Sequence, residues 1–340
     1  MRSRVESIDA LRGGFALLVL TFHCSQWLEL PLDYWLMSTL RIWGVYAVEG
    51  FFVISGMALY LSMKEGQFSK LVGVRKFFVH RYARILPLYG LLFFIHPSST
   101  HFSSQRLIEM MMLFGFLKPE SSMLVGGWSI GVEFVFYFIF PLLALLVRDR
   151  VGMALLMSAL AFLALFGWSI LFDLSPPFYS QNPLYVTPFN HFAFFVSGYL
   201  LGVIYRRSIP VLLWLQSCRY NLILAIGVFV FMCLVGSNEH QIQVMGGYRR
   251  LLLSMLLVTL VGLIASMNLN GSIARFLGDI SYALYLIHPF VVFGLLPFIG
   301  IDNHWLNLVI VYGVTIPMAF LSHRYFEMPA QKYIRRIGNA

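Results

Sequence analysis

The sequence predicts an all-α integral membrane protein of about ten transmembrane helices, with both termini cytoplasmic. Three observations carry that prediction. Of 340 residues, 59% are hydrophobic and 11% carry a formal charge, whereas soluble domains run at about 45–50% and about 25%. The apolar residues fall in long runs, and a spanning helix needs about 20 of them to cross about 30 Å of hydrocarbon. The basic residues collect in alternate gaps between those runs. This composition excludes a disordered chain and a soluble globular enzyme. The net charge of +9 does not point to nucleic acid, because a nucleic-acid binder shows a basic face on a soluble domain. Three scattered cysteines, Cys24, Cys218 and Cys233, make neither a disulfide scaffold nor a zinc site.

Taken in order, the spans are expected at residues 13–32, 44–62, 85–97, 128–147, 151–172, 189–205, 221–236, 251–267, 280–299 and 305–325. The third is short, so its inner end extends back through the basic stretch before it. Residues 107–117 are too few to cross and read as interfacial or re-entrant. The longest outer loops are 98–127 and 173–188. The second holds Ser175, Pro176, Pro177, Asn182 and Pro183, residues that favour rigid turns. The first apolar run could belong to a signal peptide, but no small-x-small cleavage site follows it, so it is read as a retained helix.

Orientation follows from the loop charges. With a cytoplasmic N-terminus and ten alternating helices, nineteen of the 24 Lys and Arg residues fall inside. Five fall outside: Arg41, Arg106, Lys118, Arg249 and Arg250. The Arg249–Arg250 pair is the main dissent. No linker or low-complexity tract interrupts the chain, so residues 1–340 are read as a single membrane domain without a fused soluble domain.

An ionisable side chain inside a span costs about 2.5–3.5 kcal/mol on insertion scales, so each is a candidate functional group. Arg12 and His23 lie eleven residues apart, about three turns. They therefore share one helix face, roughly 16 Å apart along the axis. Arg12 is expected at the cytoplasmic boundary and His23 at mid-membrane. Glu133 in the fourth span and Glu49 in the second lie within about two turns of the level of His23. His288, with Tyr282 and Tyr285, lies in the ninth span just before Pro289. Arg81 and Arg84 share a face three residues apart, and two guanidiniums suit a phosphorylated ligand. Each group also has a structural reading. Arg12 can be a positive-inside anchor, His23 an interhelical hydrogen-bond partner, and the glutamates headgroup or water-pocket residues. His288 can satisfy backbone groups freed by the proline, and the arginine pair can contact anionic lipid.

Five fragments, in order, are similar to the membrane acyltransferase-3 family of multi-spanning O-acyltransferases. Asp9, Ala10, Leu11, Arg12 and Gly13 with His23 resemble its Arg-x10-His signature. The run Gly50–Gly56 resembles its second-helix motif, with Glu49 where the family commonly has an acid. Arg81-x-x-Arg84 followed by Ile85, Leu86 and Pro87 resembles its basic motif. Trp128 and Ser129 with Glu133, then Ser281 and Tyr282 with Tyr285 and His288, complete the series. Gly14 is a departure, since a bulkier residue is expected after Gly13. The resemblance extends from Ile8 to about Arg335.

The resemblance implies a ten-helix enzyme of the plasma membrane, the inner one where a cell has two. It would move an acyl group, usually acetyl, from cytoplasmic acyl-CoA to a hydroxyl of a glycan or lipid-linked sugar at the outer side. Acyl-CoA is then the donor substrate, and no metal is expected. Transfer to a hydroxyl needs a base, an oxyanion stabiliser and exclusion of water. His23 is the candidate base, with Glu133 or Glu49 tuning it. Arg12, Arg81 and Arg84 are the candidate CoA ligands, and Trp128, Ser129, Tyr285 and His288 the candidate acceptor-binding residues. Membrane lipids are expected partners, nucleic acid is not, and a homo-oligomer is compatible with the sequence. Two other functions share these features: a proton-coupled secondary transporter relaying through buried His and Glu, and an inactive membrane partner of the same family.

Overall fold

Helices make up nearly all of the described residues, and no strand occurs among them. The computed structural model describes residues 5–96, 104–171, 178–207, 220–236, 243–267, 269 and 271–339. Arg2, Arg4, Cys218, Arg219 and the Ser175–Pro177 turn lie outside them. Nine helices among the described residues are long and apolar enough to cross a membrane, and a shorter apolar helix of 17 residues, Tyr220–Gly236, joins them. The protein is an all-α multi-span membrane protein.

The chain divides into two units, each built from two stretches of sequence. The first comprises residues 1–63 and 149–279. It holds α1 (Glu6–Trp27), α2 (Tyr34–Ser62), α7 (Val151–Ser169), α8 (Phe178–Tyr185), α9 (Pro188–Arg206), α10 (Tyr220–Gly236) and α11 (Gly247–Ala265), with the start of α12 (Ser272–Phe290). α2 is its centre, packed on α1 and α9. Small residues let α2 and α9 approach closely. A side chain at Gly56 would strike the Phe195 backbone, and one at Gly198 the Val53 backbone. This is how helices associate where lipid leaves no hydrophobic drive between them. The start of α1 is tied down by Glu6, which accepts from the Gly271 amide at 2.8 Å and pairs with Arg275 at 3.5 Å. Gly13 abuts Leu277, whereas Gly14 faces open space.

The second unit comprises residues 64–148 and 280–340. It holds α3 (Leu71–Ile95), α4 (Ser104–Met110), α5 (Phe114–Leu117), α6 (Gly127–Val147), the rest of α12, α13 (Leu296–Ile299), α14 (His304–Leu321) and α15 (Met328–Asn339). The connection between α3 and α6 is pinned by buried Glu109 on α4. Its carboxylate accepts from the Tyr89 hydroxyl at 2.7 Å, the Met123 amide at 2.9 Å and the Ser122 hydroxyl at 3.2 Å. α15 packs along α3.

Helix boundaries depart from the expected spans for local reasons. α1 stops at Trp27, not 32, because Glu29 adopts a left-handed φ of 48° and Pro31 follows. α2 begins ten residues early because Asp33 caps it, accepting from the Leu36 amide at 2.7 Å. Its 29 residues run about 43 Å, longer than the hydrocarbon core. α3 extends back to Leu71 through the basic stretch, as expected. Residues 107–117 form only the short helices α4 and α5 with a turn between, in keeping with a segment that does not span. Pro183 lies inside α8 instead of in a turn. α12 passes through a π-helical stretch at Val291–Leu295 just after Pro289, and α14 continues through a second, Ser322–Glu327, into α15. The last helical run therefore reaches well beyond residue 325.

Candidate functional site

Within the first unit, Arg12 and His23 both lie on α1 and both are partly exposed. With α1 ending at Trp27, His23 stands one turn before the helix end. Its ring stacks on Trp27, with centroids 4.5 Å apart and planes 19° apart.

Glu49 is fully buried in the middle of α2, and its partner is Arg250 of α11, which is also fully buried. Arg250 lies over the rings of Phe194 and Tyr46, at 5.2 and 5.4 Å. It also donates to the Asn190 side chain at 3.4 Å. His191 Nδ1 is 3.8 Å from the Glu49 carboxylate, and its ring meets Phe52 and Tyr185 at 5.1 Å each. Arg250 is thus a helix residue engaged by Glu49 and not a loop charge; Arg249 lies beside the Tyr248 ring. The sequence reading missed Arg250, Asn190 and His191. The signal for the last two was an adjacent polar pair inside the span at 189–205.

Within the second unit, Arg81 and Arg84 come together with Glu133, Tyr137, Tyr282 and Glu327. The Arg81 guanidinium lies 5.8 Å from the centres of both the Phe77 and Tyr137 rings. The Tyr137 hydroxyl hydrogen-bonds Glu133 one turn away on α6. Tyr282 feels the charges of Glu327, Glu133 and Arg84 and donates to the Ile85 carbonyl at 2.8 Å. Glu327, mostly buried, accepts from the Ser322 hydroxyl at 3.0 Å and feels the Arg84 charge. Tyr137 thus feels Glu133 and both guanidiniums, and Tyr282 feels both carboxylates and Arg84; both cations and Glu133 are partly exposed.

Ser129 and Tyr285, both buried, meet at 2.9 Å, and both hydroxyls reach the Gly126 carbonyl, at 2.9 and 3.0 Å. Gly126 has φ 77°, the left-handed geometry that glycine accepts without strain. Trp128 is partly exposed beside them. His288 is buried, and its Nδ1 lies 3.0 Å from the Leu284 carbonyl of its own helix. The ring also interacts with the Tyr285 backbone, whose carbonyl Pro289 leaves without its helical N–H partner, in keeping with the structural reading of His288. Among the described residues no group of three His, Cys, Asp or Glu side chains gathers as a metal site.

Histidine, carboxylates and arginines inside the apolar helices of a multi-span membrane protein mark candidate functional sites. The family model described as "Acyltransferase domain" matches residues 5–324, so the chain belongs to the acyltransferase-3 family and is an acyltransferase. Comparison with curated proteins and with solved structures gave no match.

Proposed function

We propose that the protein is an O-acyltransferase of the plasma membrane. It takes an acyl group, foremost acetyl, from cytoplasmic acyl-CoA and transfers it to a hydroxyl of a glycan or lipid-linked sugar on the outer side. The observation that carries this reading is the pairing of Arg12 and His23 on α1 in a chain of this family. One helix offers an anion-binding cation and, about 16 Å farther along, a group able to take a proton. In the reaction, the acceptor hydroxyl oxygen attacks the thioester carbonyl while His23 takes its proton. The carbon–sulfur bond then breaks and the thiolate leaves, receiving that proton as free CoA. Arg81 and Arg84 are assigned to phosphate binding, and Arg12 to the same class of ligand. Glu133 or Glu49 is assigned to tuning the base, the charge of Glu49 being offset by Arg250. Trp128, Ser129 and Tyr285 are assigned to the acceptor, with His288 supporting the helix that carries Tyr285.

The test is mass spectrometry of surface and lipid-linked glycans from cells expressing the wild type or His23→Ala, with both proteins confirmed in the membrane. Acyl esters are expected only with the wild type. Esters at wild-type level in His23→Ala would remove His23 from the chemistry. Identical glycans with and without the protein would count against acyl transfer to these acceptors.

A further inference from the structure

α15 is an amphipathic helix running along α3, and it brings Arg335 to the basic face of that helix. Arg335 feels the charges of Arg81 and Arg84. His80 feels those of Arg335, Arg81 and Lys76. Three cationic or protonatable side chains therefore converge from two helices. Repulsion between like charges opposes such an arrangement unless an anion joins it. Neighbouring Arg84 has the Glu327 carboxylate nearby. By contrast, Arg81 Nε, Arg335 Nε and His80 Nε2 are buried and have no hydrogen-bond partner among the described residues. The guanidinium of Arg335 is held from the side by Gln331, which accepts from it at 3.2 Å. That of Arg81 lies near the Phe77 and Tyr137 rings. Each guanidinium thus keeps an Nε–H without a partner, and a planar or tetrahedral oxyanion suits such a donor.

We propose that His80, Arg81 and Arg335 form a phosphate-binding site, which makes the C-terminal helix part of the ligand-binding machinery. Phosphate groups reach such a place from two sources, CoA or the headgroup of an anionic phospholipid. The site stands on the cluster itself; only its assignment to the donor rests on the acyl-CoA reading. Beside the cluster, α3 and α15 also form an apolar groove lined by Phe78, Val79, Tyr82, Ile334 and Ile337, which suits either a pantetheine arm or a lipid tail.

The experiment uses the full chain in nanodiscs. CoA affinity is measured by calorimetry in phosphatidylcholine, and retained phosphatidylglycerol is measured by native mass spectrometry in a mixed bilayer. The variants are Arg335→Ala and Arg335→Gln, the second keeping more of the packing. Lys332→Ala, an exposed charge on the same helix, is the control. Loss of a charged hydrogen bond weakens binding roughly ten- to a hundredfold. A loss of that size for CoA in the Arg335 variants, absent in Lys332→Ala, assigns the site to the donor. Unchanged CoA affinity with loss of retained phosphatidylglycerol assigns it to lipid. If the wild type binds no CoA yet the Arg335 variants shed phosphatidylglycerol, the site survives and the acyl-CoA reading falls. If correctly folded Arg335→Gln matches the wild type in both measurements, the proposal is overturned.

Discussion

Glu49 shows how a residue's meaning depends on what faces it. Alone in a hydrophobic span it reads as a catalytic acid, but its charge is shared with Arg250 inside a shell of Tyr46, Phe194 and Asn190. Breaking a buried ion pair by removing one partner typically costs about 3–5 kcal/mol, whereas replacing both with apolar residues is often neutral. Arg250→Met should therefore lower the melting temperature in detergent sharply, and Glu49→Leu/Arg250→Met should recover most of the loss. If the recovered double variant still transfers acyl groups, Glu49 has no part in the chemistry. The acid was legible in the sequence because a glutamate among Val48, Gly50 and Phe51 is anomalous. Its partner was not, because Arg250 adjoins Arg249 at the edge of an apolar run and looks like an ordinary boundary charge. No local pattern links positions 201 residues apart. Arg335 was missed for a related reason: a basic residue beyond the last expected span reads as a tail charge until α15 lays it along α3.

At the scale of elements, the helical character of the apolar runs followed from their length, and their ends did not. Those ends depend on single devices: the Asp33 cap of α2, the left-handed Glu29 after α1, and the continuation of α14 through its π turn. Helix spacing also depends on residues that carry no chemistry. Gly198→Leu places a side chain against the Val53 backbone, and overpacking of this kind costs about 1–3 kcal/mol, occasionally more. It should reduce the yield of folded protein and its melting temperature. Gly14→Ala is the converse. Open space surrounds that glycine, and alanine is favoured over glycine inside a helix by about 0.5–1 kcal/mol. Equal or higher thermal stability is the expected result, with acyl transfer intact. A clear loss of stability would mean that the departure from the family's usual residue at this position is required.

For the whole molecule, each unit is assembled from an early and a late stretch of sequence. Residues 1–148 contain a part of each unit and the whole of neither. Expressed alone, fragments 1–148 and 149–340 should each be degraded by limited proteolysis without a persistent core; co-expressed, they should protect one another. A protease-resistant core from 1–148 alone would contradict this division. The same interleaving bears on biogenesis. α3 and α6 leave the ribosome well over a hundred residues before α14 and α15, yet α3 packs on α15 in the finished protein. During that interval the bilayer holds a helix bearing Arg81 and Arg84 whose late partners have not been translated. The cell's insertion and quality-control machinery must therefore tolerate, or shelter, an unfinished unit until its later helices have been made.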